Sequence, residues 1–458
     1  MPMRLGHAEL VTQLRHHARL TMEKIRTAAS MKYLPRLLLC SLIALGAGCA
    51  THPTALSPQA RAQQTKAETT TPLLLISIDA YRADYINRGF SPTLQQLAAT
   101  GVHADGMQPS FPSLTFPNHY AIVTGLVPDH NGIVNNTMVD PELGRFTLSD
   151  RKAVGNGLWW DQATPLWVTA DANGLRTATM FWPGSEAPIQ GKHPDYWKPY
   201  DGKVTADQRV DQVLAWLDLP AGKRPQFLTL YFDAVDHAGH DHGPDSPEVN
   251  QALRDTDEAM ARLVDGLRQR GVLDKINIIV LADHGMASVP KDHSILIDKL
   301  LPMKDVEEVS LGEVAGFNPK RGRDFNAIEA KMEQPQQHMQ CWDKTRIPTR
   351  LNYGSNARVP QLVCLADVGW RITTTDYLAK HKHISLGEHG YDNASPLMQA
   401  LFVAHGPAFR SGLQFHTFPN VDVYPLMVHL LGIAPKLSDG KFEDVQGMLK
   451  PEPSAATQ

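Results

Sequence analysis

Apolar-rich runs alternate with amphipathic stretches along most of this chain. Leu73–Ile78, Thr177–Phe181, Phe227–Phe232, Ile276–Leu281 and Leu401–Ala404 have the continuous hydrophobic character of strands covered on both faces. Between them, Pro92–Thr100, Val204–Leu217 and Pro247–Arg270 carry apolar residues at helical spacing. Strand and helix in alternation predict an α/β fold, with a mostly parallel central sheet flanked by helices on both faces.

The pattern breaks in three places. Residues 51–71 are rich in Thr, Ala, Gln and Pro without apolar periodicity, which predicts a flexible linker. Residues from about 300 to 372 are polar and Pro-interrupted and hold Cys341 and Cys364, so they are expected to form a smaller insertion packed beside the sheet. The main domain is then expected over 72–435, with 436–458 as a C-terminal tail.

Residues 1–50 are expected to be an N-terminal extension and signal peptide. From Met31, the basic Lys32 and Arg36 precede the largely apolar run Leu37–Gly48, which is short for a membrane span. Met31 is the preferred start, with Met1 as the alternative. Leu45-Gly46-Ala47-Gly48-Cys49 partly resembles a bacterial lipoprotein cleavage site, although Gly46 stands where a larger apolar residue is usual. The chain is therefore expected to be exported, as a periplasmic protein or as an outer-membrane lipoprotein anchored at Cys49. In an oxidising compartment Cys341 and Cys364 favour a disulfide over two buried thiols, closing a loop worth about 3 kcal/mol on the chain-entropy view.

Charge narrows the partners. With 44 basic and 48 acidic residues the chain carries a net charge of −4 and a pI near 6.6. No overall basic field attracts a nucleic-acid polymer. A small anionic substrate would need a local cationic site instead.

Candidate chemistry gathers at strand ends. The first strand runs into Asp79, another reaches Asp233 and then Asp236-x-x-x-His240, and a third delivers Asp283-His284-Gly285. Ligands bind at the carboxyl ends of strands in open α/β sheets. A lone Asp after a strand is commonly a cap or turn residue, but three such ends, two with a histidine, point to a metal. Mixed carboxylate and imidazole donors suit Zn²⁺ better than Mg²⁺ or Ca²⁺, with Mn²⁺ and Fe left open. His389, in Gly387-Glu388-His389-Gly390-Tyr391-Asp392, offers a further imidazole.

Phe111-Pro112-Ser113-Leu114-Thr115-Phe116-Pro117-Asn118-His119-Tyr120 offers a nucleophile. Pro117 suits the first turn of a helix, which puts Thr115 at an N-terminus that favours an anion. A threonine hydroxyl is a poor nucleophile unless it is deprotonated or metal-bound. The competing reading is a threonine that merely caps the helix. His119, His237, His242, His293 and His405 lie near these motifs without being assigned as ligands; His119 and His242 are expected to support ligands from behind. Arg82 and Asp84 are expected to fix the turn after Asp79.

Taken together, Ile78-Asp79-Ala80-Tyr81-Arg82-Ala83-Asp84, the Thr115 segment, Asn136, Asp236-His-Ala-Gly-His240, Asp283-His284 and Gly-Glu-His389-Gly-Tyr-Asp resemble, in order, the nucleotide pyrophosphatase/phosphodiesterase family of the alkaline phosphatase superfamily. The resemblance runs from about Pro72 to Leu430. It implies an alkaline phosphatase-like fold and two Zn²⁺ ions, one held by Asp236, His240 and His389, the other by Asp79, Asp283 and His284, with Thr115 between them. It further implies that Asn136 contacts a phosphate oxygen and that Phe116 and Tyr231 sandwich a base, with Tyr200 in the same pocket. The expected reaction releases nucleoside 5′-monophosphates through a covalent phosphothreonine, with an alkaline optimum.

Departures from neighbouring families favour diesters. The serine motif of alkaline phosphatases is absent, and Thr115-x-Pro117-x-His119 lacks the modifiable nucleophile and arginine of sulfatases. Two alternatives remain: a lysophospholipid or glycerophosphodiester phosphodiesterase of the same family, and a catalytically silent nucleotide-binding protein.

Overall fold

In the computed structural model, residues 69–381 and 383–451 are described. The expectations for residues 1–68, including Met31, the signal peptide, most of the linker and Cys49, lie outside the described residues.

An eight-stranded sheet forms the centre of the domain. Its strands are β1 (Leu73–Ile78), β2 (Val102–Ala104), β3 (Thr177–Met180), β4 (Tyr196–Trp197), β5 (Phe227–Phe232), β6 (Asn277–Leu281), β11 (Phe402–His405) and β12 (Leu413–Phe415), in the order β12-β2-β11-β6-β1-β5-β3-β4. β1 lies at the middle, parallel to β5 on one side and to β6 on the other. Only β11 runs against its neighbours, β6 and β2. Every residue of β1, β5 and β6 is buried, which explains why these strands read as continuous apolar runs rather than as alternations.

Helices cover the sheet close to where their periodicity places them. Helix α1 spans Pro92–Thr100 as predicted, with Pro92 in its first turn. α3 (Ala206–Leu217) starts two residues later than its apolar pattern, because Thr205 and Gln208 form a reciprocal capping box there. α5 (Pro247–Gln269) is capped by the Ser246 hydroxyl, which accepts from Val249 N. Two more helices carry chemistry: α2 (Thr115–Thr124) and α4 (Ala234–His242).

The insertion is a second sheet of four antiparallel strands, β7 (Val306–Ser310), β8 (Val314–Pro319), β9 (Met339–Asp343) and β10 (Leu362–Ala366), in the order β7-β8-β10-β9. Cys341 and Cys364 face each other across β9 and β10 and form a disulfide. They sit in a separate apolar core with Phe317, Met332 and Ile372, which also takes in Tyr391, two residues past His389. Residues 436–451 depart from the expected tail: Val445 and Met448 are fully buried, and Asp439 accepts from Val127 N.

Candidate active site

The strand ends converge. After β1 the chain turns through Ala80, whose φ of 56° lies in the left-handed region, and Ala80 N donates to Asp283 Oδ1 at 3.2 Å. Asp79 N meanwhile donates to Phe232 O, the last residue of β5. These two bonds tie the ends of β1, β5 and β6 together and leave Asp79 and Asp283 almost wholly buried. Arg82 braces the same turn as expected, donating to Asp84 and to the carbonyl of Met286.

α4 brings Asp236 and His240 to one face, one turn apart, with His240 Nε2 3.4 Å from Asp236 Oδ1. His389 Nε2 lies 3.6 Å from the same oxygen. His284 Nε2 is 2.9 Å from Asp283 Oδ2 and 3.6 Å from Asp79 Oδ1. The rings of His284 and His389 stack at 3.5 Å. All six sequence-predicted ligands therefore meet in one place.

These groups fit a metal on three counts. Asp79 Oδ1, Asp236 Oδ1 and Asp283 Oδ2 are buried without any hydrogen-bond partner, a costly state for carboxylates unless a cation completes them. The three imidazoles each turn Nδ1 to a backbone carbonyl: His240 to Gly387, His284 to Gly285 and His389 to Ser113. A carbonyl only accepts, so Nδ1 donates in each ring and Nε2 is the nitrogen turned to the carboxylates. Ligand atoms of Asp236, His240 and His389, and of Asp79, Asp236 and His284, fall into two groups, each within 4.8 Å of one another. Asp236 thus stands between the two sets.

Charge crowding points the same way. Burial, reinforced by Asp283 and Asp236, pushes the Asp79 carboxyl well above its ordinary range. Burial also opposes ionisation of Asp283, but His284 and His119 outweigh it and hold that carboxyl well below the usual value. Burial, together with His284 and His240, drives His389 well below an ordinary imidazole. His240 resists its own burial through Asp236 and Glu388, which lift it to about 10.

Thr115 is the first residue of α2, behind Leu114 as N-cap, and its side chain does not cap the helix. Its Oγ1 lies 3.2 Å from His284 Nε2. Asn136 Oδ1 accepts from Phe116 N at 2.9 Å, which fixes the amide beside the helix N-terminus. One residue the sequence did not single out holds this segment in place. Asn118 Nδ2 donates to Pro112 O and Leu114 O, while its Oδ1 accepts from Ser110 N and Asn420 Nδ2. The residues around it carry no signal for this, because one partner lies 302 positions away.

A cleft of about 370 Å³ opens from the acids, with Phe116, Asn136, Arg151, Glu186, Tyr200 and Tyr231 among its walls. Tyr231, expected to sandwich the base with Phe116, also lines the cleft. Its hydroxyl donates to Asp79 Oδ2 at 2.6 Å and its ring stands edge-on to His119. It is 9% exposed, and its hydroxyl is committed to the acid. Tyr200 is 37% exposed and is held by its hydroxyl on Asp233. Asp233 in turn pairs with Arg209. His242 also departs from expectation: its side chain is half-exposed and points toward Glu248.

The type I phosphodiesterase/nucleotide pyrophosphatase family pattern matches residues 73–392. The chain belongs to that family. Among relatives, an uncharacterised pyrophosphatase/phosphodiesterase of Schizosaccharomyces pombe is 37% identical over 382 residues, covering 81% of this chain and 79% of the relative. Human ectonucleotide pyrophosphatase/phosphodiesterase family member 1 is 37% identical over 391 residues, 83% of this chain but 42% of that protein. The venom phosphodiesterase of Naja atra is 36% identical, again with 83% of this chain and 46% of the relative covered. The chain thus spans less than half the length of the mammalian and venom relatives. Among solved structures, murine ectonucleotide pyrophosphatase/phosphodiesterase 5, as an inactive threonine-to-alanine variant in complex with AMP, superposes with a TM-score of 0.79 at 32% identity. It covers 83% of this chain and 100% of that one.

Proposed function

We propose that this chain hydrolyses nucleotide phosphodiester and phosphoanhydride bonds to nucleoside 5′-monophosphates, through a covalent phosphothreonine on Thr115. The observation that carries the reading is the Thr115 hydroxyl at a helix N-terminus, 3.2 Å from His284 Nε2, beside three buried carboxylate oxygens that have no partner. The AMP bound to the murine relative supports a nucleotide, and that relative is inactive as a threonine-to-alanine variant.

Two Zn²⁺ ions suit the donor set: Asp236, His240 and His389 would hold one, and Asp79, Asp283 and His284 the other. When bound, they supply positive charge that favours the threonine alkoxide and neutralises the leaving oxygen. The chain's own groups do the rest. Thr115 Oγ1 attacks phosphorus in line and the leaving group departs on the opposite side. Asn136 Nδ2 donates to a phosphoryl oxygen, joined by the partial positive charge of the α2 N-terminus. Phe116 and Tyr200 flank the base, in place of the pairing of Phe116 with Tyr231. Water then cleaves the phosphothreonine ester, and two inversions give net retention at phosphorus.

Export is part of the same proposal. The Cys341–Cys364 disulfide suits an oxidising compartment, and the run Leu37–Gly48 with Cys49 suits a secreted or lipid-anchored periplasmic protein. The deciding experiment is a product profile of the zinc-loaded protein with ATP, a dinucleotide, glycerophosphocholine and a phosphate monoester. A nucleoside 5′-monophosphate should dominate. If p-nitrophenyl thymidine monophosphate stays intact with zinc bound, the catalytic reading fails; choline phosphate as main product would move the substrate class to glycerophosphodiesters.

A further inference from the structure

One buried histidine belongs to neither ligand set, although it touches both the nucleophile and a metal-binding acid. His119 sits one helical turn past Thr115 on α2 and is wholly buried. Its Nδ1 lies 2.9 Å from the carbonyl oxygen of Thr115 and 3.3 Å from Asp283 Oδ2. Its Nε2 lies 2.8 Å from the hydroxyl of Ser77, two residues before Asp79 on β1. Trp182 and Tyr231 stand edge-on to the ring, and Trp182 Nε1 donates to the His119 carbonyl.

By proximity alone, Asp79, His119 and Asp283 could hold a cation, since their ligand atoms lie within 4.8 Å of one another. The hydrogen bonds argue otherwise. His240, His284 and His389 present Nε2 to the acids and keep the proton on the far nitrogen, Nδ1. His119 is reversed: the nitrogen facing Asp283 is Nδ1, which also faces the Thr115 carbonyl. A carbonyl can only accept, so Nδ1 carries hydrogen and has no lone pair for a metal. In the neutral ring Nε2 is then the acceptor for the Ser77 hydroxyl, which fixes the tautomer.

We propose that His119 is a positioning residue, whose Nδ1–H is donated to the Thr115 carbonyl while the ring edge stands 3.3 Å from Asp283 Oδ2, and so keeps the nucleophile's backbone beside a metal-binding carboxylate. Ser77 sets the tautomer from the opposite side of the ring. The first strand, the nucleophile helix and the turn after β6 therefore move as one unit, and the distance from Thr115 Oγ1 to the acids does not drift. The inference rests on the metal-dependent reading of this site. It adds that the fourth imidazole beside the acids is a donor and not a ligand.

Three substitutions separate the roles, because an asparagine amide falls where Nδ1 was and a glutamine amide where Nε2 was. His119→Ala should weaken zinc binding and lower kcat about 10–100-fold, the usual cost of losing a group that orients a ligand. KM should hold, since His119 does not line the cleft. His119→Asn should restore both quantities to within about 3-fold of the unaltered protein, whereas His119→Gln should resemble the alanine variant. Zinc affinity is read by competition with a chromogenic chelator and needs no substrate, so it stands even if no nucleotide diester is cleaved. An alanine variant with unchanged zinc affinity and kcat overturns the proposal. So does rescue by glutamine equal to rescue by asparagine, or asparagine no better than alanine, which would mark His119 as a ligand. Should His119→Ala not fold, Ser77→Ala serves instead: it should lower kcat about 3- to 10-fold with KM unchanged, and no change in kcat would overturn the tautomer argument.

Discussion

Replacing Asn118 with alanine should cost the fold more than its small size suggests. Asn118 and Asn420 are both fully buried, and all of the Asn118 amide's hydrogen-bonding groups are used. The two carbonyls it serves keep other partners: Leu114 O still accepts from Asn118 N, and Pro112 O from Leu114 N. Two donors do not. Ser110 N, 2.7 Å from Asn118 Oδ1, and Asn420 Nδ2, at 2.8 Å, would be left buried and unmet. At about 1–3 kcal/mol for each orphaned group, plus a small cavity, the loss comes to about 3–5 kcal/mol. Asn420→Ala removes only its own bonds to Asn118 and to the Ser110 hydroxyl, and should cost about 1–2 kcal/mol. The double variant should be less destabilised than the sum, with a coupling of about 1–2 kcal/mol, because the two amides touch. Urea unfolding followed by circular dichroism measures all three. Because the clamp holds the residues leading into Thr115, kcat should drop with stability in Asn118→Ala. A loss below about 1 kcal/mol, or strict additivity, would refute the claim that this network is a closed unit.

Other expectations follow from the same geometry. Tyr231→Phe removes the hydroxyl that donates to Asp79 Oδ2 and should weaken zinc binding about 10-fold with little change in nucleotide KM; Tyr200→Ala should do the reverse, raising KM about 10-fold through lost stacking. If Tyr231→Phe moves KM instead, the proposed assignment of the two tyrosines is wrong. Burial lifts Asp422 to about 6, against the backbone hydrogen bond from Lys441. The folded chain thus holds a proton that the unfolded chain releases near pH 4, and stability falls as pH rises from about 4 to 6. After allowance for screening, Asp422→Asn should gain about 1–2 kcal/mol at pH 8 and nothing at pH 3.5, read from urea midpoints at both pH values. Cys341→Ser with Cys364→Ser opens a loop of sequence separation 23 and should cost about 3 kcal/mol. Unchanged unfolding with and without reductant would show that the disulfide contributes nothing.

Local pattern was enough for the scaffold and for the identity of the reactive groups. β1, β5 and β6 read as strands because a strand buried on both faces must be apolar throughout, and the residues that end them, Asp79, Asp236 with His240, and Asp283 with His284, follow in the next few positions. Thr115 was legible because its helix begins beside it and carries Pro117 in the first turn. Tertiary structure alone decided which atoms face which. Tyr231 and Tyr200 look alike as aromatic residues near strands, yet one hydroxyl is spent on Asp79 and the other on Asp233. His119 turns Nδ1 to the acids where His284 turns Nε2. The insertion strands β7 to β10 and the folded segment 436–451 were opaque for a related reason: their burial comes from contacts with distant chain. A residue's chemistry is local to it, whereas the direction of its lone pair or hydroxyl is set by neighbours tens to hundreds of positions away.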